Sequence, residues 1–275
     1  MKTGRALIAE VDETALPPGA VAFWWLGQMS YIVKVANTIL YFDPYLSPSP
    51  RRNVPPLLEP KEITHADWVF GSHDHNDHID PYAILGIAQA SPQARFVVSR
   101  VAQRHLLALG LPSERIVALD EGLIHVLGDL AILPIAAAHE FLDRDPTLGH
   151  PYLSYIVCCG GVVIYHAGDT CLYEGMISKL LRWKVDVAFV PINGRDAVRL
   201  ARGCIGNMTY QEAVDLVGTM APRLAVPGHY DMFRDNSADP NLFTAYMEVK
   251  YPHLKYWVGA HGERVILPPR EETAH

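Results

Sequence analysis

A run of histidines and aspartates in the first third of the chain is the densest group of metal-binding side chains in the sequence. It has the pattern H-x-H-x-D-H over residues 73–78 and follows a short apolar segment at residues 68–71. In a loop at a strand end, His73 and His75 can converge on one ion, and Asp77 and His78 can face a second. Imidazole and carboxylate ligands suit zinc, iron, nickel or manganese, whereas a structural thiolate site needs cysteine. The alternative, a solvated His-rich turn, requires this pattern to arise by chance.

Three further candidate ligands follow later apolar runs. His139, Asp169 and His229 each stand where a predicted strand meets a loop, and binding residues often lie there on an α/β scaffold. Asp169 is the natural bridging ligand because a carboxylate has two oxygens. Taken alone, His139 is also compatible with a partly buried histidine at a sheet edge.

Apolar patterns predict the elements that position these ligands. Strands are predicted at residues 21–26, 31–35, 38–42, 68–71, 96–98, 130–137, 155–158, 162–165, 185–190, 224–226 and 255–258. Helices are predicted at residues 81–90, 100–109, 173–181, 210–220 and 240–250. Asp80 and Thr209 are the expected N-caps of the first and fourth of these helices. Strands first and helix–strand units later favour an α/β fold in which helices cover the sheets.

Composition limits the class of protein. The 275 residues carry 23 Lys and Arg against 30 Asp and Glu, a net charge of −7, so nucleic acid and anionic membranes are not expected partners. The longest apolar run is far below the roughly 20 residues that a membrane helix needs. The four cysteines show no paired spacing, so we expect free thiols and a cytoplasmic location.

The organisation of the chain is expected to be simple. We predict one hydrolase domain over residues 1–275, in which the proline-rich stretch 44–60 is a long surface loop. The sequence leaves open whether the chain forms a homo-oligomer.

Several motifs together resemble a known family. The ordered set of residues 73–78, His139, Asp169 and His229 resembles the metallo-β-lactamase fold superfamily. A finer resemblance, to the L-ascorbate-6-phosphate lactonase family, rests on Trp24-Trp25-Leu26-Gly27, residues 73–80, Tyr165-His166-x-Gly168-Asp169, Asp186-Val187-Ala188, Arg202-Gly203 with Met208-Thr209, and Pro227-x-His229-x-Asp231. The superfamily resemblance implies a four-layer αββα sandwich with a dinuclear site at the sheet edge. The lactonase resemblance implies a cytoplasmic metal-dependent hydrolase that opens a sugar lactone, often with manganese.

The resemblance also suggests a division of the ligands between two divalent ions, manganese or zinc with iron as an alternative. One ion is expected to take His73, His75 and His139, the other Asp77, His78 and His229, with Asp169 bridging them. A divalent ion lowers the pKa of bound water to about 7, so hydroxide is expected to attack the lactone carbonyl. Asp77 can also accept a proton during the transfer. Tyr230, Asp231 or water can protonate the leaving oxygen, and Asp231 is the poorer acid because an exposed aspartate ionises near pKa 3.9.

Two weaker candidates are expected to support the ligands. His166 can orient Asp169 through its ring N–H, although a packed core histidine explains it equally well. Asp43 can support the His-rich loop, or it can serve a structural turn. Trp24 and Trp25 are predicted to be core residues.

Substrate contacts are expected from the loop after the predicted strand 185–190. Asn193, Arg195 and Arg202 lie there, and arginine binds phosphate through two parallel hydrogen bonds. A solvated loop with ordinary ion pairs is the alternative. Thr209 can mark an anion site at a helix N-terminus, or it can be a plain N-cap.

The sequence therefore favours an enzyme that opens the lactone of a small, anionic sugar derivative. The same metal pair serves phosphoryl transfer, so a phosphodiesterase acting on a nucleotide or a phospholipid is the alternative. A di-iron oxidoreductase is a third possibility, but an attached flavin domain is usual there and 275 residues leave no room for one.

Overall fold

The structure is a computed structural model and describes residues 1–271. Within this range thirteen strands form two sheets. In chain order the strands are β1 (Val21–Gly27), β2 (Ser30–Val35), β3 (Thr38–Phe42), β4 (Trp68–Phe70), β5 (Arg95–Ser99), β6 (Ile116–Leu119), β7 (His125–Leu127), β8 (Leu130–Ala136), β9 (Leu153–Cys159), β10 (Val162–His166), β11 (Val187–Pro191), β12 (Leu224–Gly228) and β13 (Arg264–Leu267).

Seven α-helices accompany the strands in the same range. They are α1 (Gly4–Glu13), α2 (Pro81–Ala90), α3 (Gln103–Ala108), α4 (Met176–Leu180), α5 (Ala197–Ala201), α6 (Tyr210–Met220) and α7 (Pro240–Lys250). The longest of them, α6 and α7, have 11 residues each. No helix in the described part of the chain is therefore long and apolar enough to cross a bilayer.

The first sheet has seven strands in the order β13-β1-β2-β3-β4-β5-β6. Strands β1 to β3 form an antiparallel meander, and β3 to β6 run parallel. The turn between β1 and β2 is tight and begins at Gly27, whose φ of 98° lies in the left-handed region that glycine adopts readily. This turn brings residue 28 to the edge where the candidate ligands lie.

The second sheet has six strands in the order β12-β11-β10-β9-β8-β7. It is antiparallel from β7 to β10 and parallel from β10 to β12. Parallel neighbours need crossover connections, and α4 and α6 lie in the two segments that make them. The carboxyl ends of β10 and β12 therefore lie at the same edge of this sheet.

Alternate residues of β1 face two different apolar cores, and all seven residues of this strand are buried. Phe23 and Trp25 belong to the larger core with Phe189 of β11. Trp24 belongs to the second core with Ile84 of α2. Burial of both faces explains the uninterrupted apolar run. The prediction that the two tryptophans are core residues is confirmed.

Helices cover the outer face of each sheet. Leu7 of α1 and Leu106 of α3 pack in the core that contains Trp24. Val214 of α6 and Met247 of α7 pack in the larger core. Helices, two stacked sheets and helices again make the four-layer αββα arrangement, so the predicted α/β fold class is confirmed.

The sequence predicted some helices and strands correctly and others wrongly. The bounds of α2, α6 and α7 match the sequence prediction. The predicted strand at 255–258 is wrong, because only Tyr256 forms an isolated bridge, to Ala225 of β12. The chain leaves the second sheet at this point and crosses to the first, where β13 pairs with β1. Five elements were also not predicted from the sequence: α1, α5, β6, β7 and β13.

Asp80 ties the His-rich loop to the proline-rich segment. Its side chain is buried and accepts a hydrogen bond from the backbone N–H of Tyr82, which caps α2 as predicted. The other carboxylate oxygen accepts from the backbone N–H groups of Leu46 and Ser47, at 2.8 and 2.6 Å. One buried carboxylate therefore fixes two segments that border the candidate site.

We expect Asp80→Ala to lower the free energy of unfolding by about 2 to 4 kcal/mol, because it removes an N-cap and leaves buried N–H groups without acceptors. Urea denaturation measures this change. Asp239→Ala is the matched control, since Asp239 caps α7 from an exposed position and its loss is expected to cost about 1 kcal/mol. Equal losses for the two variants would contradict the role given to Asp80.

Candidate metal centre

The His-rich run is a tight loop directly after β4. The backbone N–H groups of His78 and Ile79 both donate to the carbonyl of His75, at 2.9 and 2.8 Å. The loop returns so closely to β4 that a Cβ on Gly71 would lie 2.6 Å from Cγ1 of Ile79, a contact that only glycine avoids. The loop therefore folds back on itself and gathers side chains that are only one to five residues apart in sequence.

His73, His75 and His139 form what we call the first ligand group, in which one nitrogen from each ring lies within 4.8 Å of the others. Nε2 of His73 and Nδ1 of His75 are 2.8 Å apart. Nδ1 of His139 donates to the carbonyl of Gly206 at 3.1 Å. Because Nδ1 carries the hydrogen, the lone pair of the His139 ring lies on Nε2. Nε2 is therefore the nitrogen that can bind a metal ion.

Asp77, His78 and His229 form the second ligand group, with one ligand atom from each within 4.8 Å of the others. Oδ2 of Asp77 lies 3.6 Å from Nε2 of His78 and 3.9 Å from Nε2 of His229. Nδ1 of His78 contacts Oδ2 of Asp43 at 2.6 Å. A carboxylate can only accept, so Nδ1 carries the hydrogen and Nε2 is left for a metal ion.

Asp169 lies between the two groups. Its Oδ2 is 3.8 Å from Nε2 of His139 and 3.0 Å from Nε2 of His229, and its Oδ1 is 3.3 Å from Nε2 of His78. Asp169 also belongs to a third set of mutually close ligand atoms, with His73 and His78. The structure thus brings all seven sequence-predicted ligands together.

Asp43 and His166 hold the backbone beneath these ligands. Asp43 accepts hydrogen bonds from the backbone N–H and the hydroxyl of Ser72, each at 2.7 Å, in addition to its contact with His78. The ring of His166 contacts the carbonyl of Met29 at 2.9 Å and accepts from the backbone N–H of Gly168 at 3.2 Å. His166 therefore acts on the backbone next to Asp169 and makes no hydrogen bond to that carboxylate within the described residues, which differs from the sequence expectation.

Burial and the charges of neighbouring side chains shift the pKa values of this cluster, and the direction differs between the histidines. Burial, followed by the charge of His78, lowers the pKa of His73 well below its usual value. Burial opposes protonation of His78 and His229 too, but the carboxylates of Asp169 and Asp77 raise both pKa values above normal. Burial alone would raise the pKa of Asp169, yet His229 and His78 hold it well below its usual range. Without a metal, the second group therefore favours imidazolium–carboxylate pairs, and the first favours neutral imidazole.

Unpaired buried atoms test whether these residues fit a metal ion. Among residues 1–271, Nε2 of His78 and Oδ1 of Asp169 are buried without a hydrogen-bond partner, although such atoms are nearly always paired. The 3.3 Å between the His78 and Asp169 atoms suits two ligands of one ion, because bonds of about 2.1 Å at tetrahedral angles separate ligands by roughly 3.4 Å. Nitrogen and oxygen donors without thiolate fit a divalent cation.

The ligands open into a cavity of about 730 Å³. Arg51 of the proline-rich loop and Arg202, just after α5, line the same cavity and are both exposed. Within residues 1–271 neither guanidinium forms an ion pair or a side-chain hydrogen bond, and that of Arg51 lies 5.8 Å from the ring centroid of Phe233. The cavity therefore combines a buried carboxylate–imidazole cluster with two uncommitted positive charges.

Two of the residues predicted to contact the substrate form hydrogen bonds with other side chains instead. Arg195 donates to both carboxylate oxygens of Glu212, at 2.7 and 2.8 Å, and does not line the cavity. Asn193 is buried and donates to Oδ1 of Asn236 at 2.8 Å, so it supports the cavity wall from behind. Thr209 is a plain N-cap of α6, with a capping box completed by Glu212.

The proton donors expected from the sequence do not line the cavity. The ring of Tyr230 packs against Trp25 with 5.0 Å between centroids, and burial raises the pKa of its hydroxyl. Asp231 contacts the ring of His261 and accepts from the backbone N–H of Gln28. Neither side chain is therefore placed to protonate a leaving group in the cavity.

Two residues at the centre were missed by sequence reasoning. Gln28 places its amide against Asp77 and His229. Tyr152 packs its ring against those of His73 and His139, with centroids 5.4 and 5.3 Å apart. Neither has a ligand-type side chain or a motif spacing. The only signal for Gln28 was its position in the turn after the strand 21–26.

Comparison with known proteins agrees with this fold and this site. The family described as the Beta-lactamase superfamily domain matches residues 38–230. A UPF0173 metal-dependent hydrolase from Thermococcus kodakarensis is 30% identical over 249 residues, covering 90% of this chain and 96% of the relative. The probable L-ascorbate-6-phosphate lactonase UlaG from Escherichia coli O127:H6 is 23% identical over 297 residues, covering 92% and 81%. The structure of Igni18, a metallo hydrolase from Ignicoccus hospitalis, superposes with a TM-score of 0.72 at 24% identity, covering 91% and 100%.

These matches define the class of protein. The chain has the metallo-β-lactamase fold and belongs to the β-lactamase superfamily domain family. Within that class it is a metal-dependent hydrolase, as its similarity to the UPF0173 protein over nearly the whole chain indicates. The resemblance to the superfamily deduced from the sequence is confirmed. The His and Asp clusters fit the binding of divalent metal.

The pKa shifts predict that metal binding to the second ligand group depends on pH. His78 and His229 have raised pKa values, so an ion there must displace protons, and its affinity should rise with pH. Affinity at the first group should change little, because burial lowers the pKa values of His73, His75 and His139. Calorimetric Zn²⁺ titrations between pH 6 and 8, in buffers of different ionisation enthalpy, count the protons. Equal pH slopes for the two groups would contradict the assignment.

Proposed function

We propose that this protein hydrolyses the lactone ring of a small, anionic sugar derivative, using two divalent ions. Manganese or zinc is the expected metal, with iron as an alternative. The observation that carries the proposal is the position of Asp169 between two ligand groups in a cavity that also presents the guanidinium groups of Arg51 and Arg202. The metal pair accounts for the hydrolysis, and the two guanidinium groups account for the negative charge of the proposed substrate.

In this proposal the first ligand group would hold one ion, the second group would hold the other, and Asp169 would contribute to both. A bound pair supplies Lewis acidity and lowers the pKa of water to about 7. The side chains of this chain orient that chemistry: Asp43 holds the ring of His78, and Gly206 holds the ring of His139. Asp77 lines the cavity and is half-buried, so its carboxylate can accept a proton from the attacking water.

The charge of the substrate follows from the arginines. Arg202 was expected from the sequence and Arg51 was not; together they replace the predicted pair Arg195 and Arg202. An uncommitted guanidinium binds a phosphate or carboxylate through two parallel hydrogen bonds. We therefore propose a phosphate or carboxylate group on the lactone, placed between the metal ligands and these two side chains.

The size of the cavity favours a small molecule. About 730 Å³ lies within the range of roughly 300–1,000 Å³ that is usual for small-ligand sites. The net charge of −7 disfavours a long polyanion such as RNA. A sugar derivative of one ring with one anionic group fits both limits.

Similarity to known proteins supports the same class. UlaG is described as a probable L-ascorbate-6-phosphate lactonase, and that substrate combines a lactone with a phosphate. The four cysteines are free thiols, which supports the reducing, cytoplasmic location where phosphorylated sugars are handled.

A panel of substrates tests the proposal. Protein stripped of metal and reloaded with Mn²⁺ or Zn²⁺ is assayed against phosphorylated and unphosphorylated sugar lactones and against bis-p-nitrophenyl phosphate. We expect turnover of lactones, with the phosphorylated ones preferred, and loss of activity after chelation. Turnover confined to the phosphodiester would establish the phosphodiesterase alternative and overturn the lactonase proposal.

Single ligand variants should abolish turnover without unfolding the protein. We expect Asp77→Ala and His229→Ala to lower kcat by at least about a thousandfold, because each leaves one ion incompletely held. Asp129→Ala and His253→Ala are matched controls, since both positions are exposed and lie outside the cavity. Steady-state kinetics with circular dichroism of each variant provides the measurement. Full activity in either ligand variant would refute the ligand assignment.

The arginines should control affinity for the anionic group. Arg51→Ala and Arg202→Ala are each expected to raise KM for a phosphorylated lactone by roughly 10- to 100-fold, as a charged hydrogen bond contributes about 1.5 to 3 kcal/mol. KM for the unphosphorylated lactone should be unchanged. Arg182→Ala is the control, because Arg182 is exposed and lines a different cavity. The same rise in KM for both lactones would count against an anion-binding role.

A further inference from the structure

Gln28 connects the turn between β1 and β2 to the second ligand group. Its side chain is fully buried, and its φ of 54° is a left-handed value that glutamine rarely adopts. Nε2 of Gln28 lies 2.6 Å from Oδ2 of Asp77 and 3.0 Å from Nε2 of His229. One amide therefore touches two of the three members of that group.

The backbone of Gln28 is held as firmly as its side chain. Its carbonyl accepts from the backbone N–H of His229 and from the indole N–H of Trp25, each at 3.0 Å. Its own N–H donates to Oδ1 of Asp231 at 3.4 Å. These contacts fix an uncommon backbone conformation and, through it, the backbone that carries His229.

Geometry identifies Gln28 as a hydrogen-bond donor and not as a metal ligand. The carboxylate of Asp77 has no hydrogen to donate, so the amide nitrogen must face it. The amide nitrogen also has no lone pair with which to bind a metal.

We propose that Gln28 is a positioning residue for the second ligand group: its amide sets the carboxylate of Asp77, and its backbone carbonyl holds the backbone of His229, before an ion arrives. The inference rests on the ligand set of the proposed function. Hydrogen bonds from outside the ligand shell fix ligand orientation, and their loss typically weakens metal binding by 10- to 100-fold. Gln28 touches no member of the first ligand group, so its effect should be selective.

Gln28→Met tests this selectivity, because methionine preserves the length of the side chain and removes the donor. Metal-free parent and variant are titrated with Zn²⁺ by calorimetry and with Co²⁺ by absorption. His139→Ala and His229→Ala identify which binding event belongs to which ligand group. We expect Gln28→Met to weaken the event of the second group by 10- to 100-fold, to alter its Co²⁺ spectrum and to leave the other event unchanged.

Gln93→Met is the matched control. Nε2 of Gln93 also donates two hydrogen bonds, to the carbonyls of Thr64 and Ala66, but it touches no ligand. This variant should bind both ions as the parent does. If Gln28→Met does not fold, Gln28→Asn replaces it: asparagine tolerates the left-handed backbone, and its amide is one methylene too short to reach Asp77.

The outcomes separate this inference from the proposed function. A parent that binds no metal would refute the proposed function. A parent that binds two ions, with a Gln28 variant that binds both equally well, would refute only the role of Gln28. Equal weakening of both events would also refute it, because a general loss of structure does not distinguish the two ligand groups.

Discussion

The carboxylate of Asp169 is the buried charge on which the arrangement of the site depends. An ionised carboxylate cannot be removed from water unless cations or hydrogen-bond donors surround it. Asp169 is 4% exposed, and His78, His139 and His229 surround it. Protonated imidazoles or metal ions can supply the balancing charge, and which of them does so depends on pH and on the metal supply. The same geometry therefore serves the stability of the protein and its chemistry.

The two sheets share the construction of this centre. The first sheet contributes the loop after β4 and the turn after β1, whereas the second contributes residues at the ends of β8, β10 and β12. Each contribution is locked by a buried contact: Asp43 below the loop, Gly206 behind His139, and Gln28 beside His229. Ligands at strand ends inherit the rigidity of the sheets, which is what precise coordination requires.

The sequence predicted the helices and ligands that are marked by residues lying close together in the chain. The helix of residues 81–90 could be predicted because Asp80 and Pro81 mark its start. The ligands could be predicted because histidine and aspartate are chemically distinctive and lie close together over residues 73–78. Gln28 and Arg51 escaped prediction because their roles arise from contacts across the sheets, not from their neighbours in the chain. Arg195 was misjudged for the same reason, since its pairing with Glu212 depends on how α6 is placed. The strand β13 was missed because it has only four residues and none of them is fully buried.

The contact between Gln28 and His229 joins positions 201 residues apart. During synthesis the His-rich loop leaves the ribosome long before the segment that carries His229 has been made. A nascent chain therefore displays three histidines and an aspartate as a partial ligand set, with neither Asp169 nor His229 in place. Contacts of such long sequence separation form late in folding. Coordination can consequently be completed only after the segment that carries His229 has been synthesised.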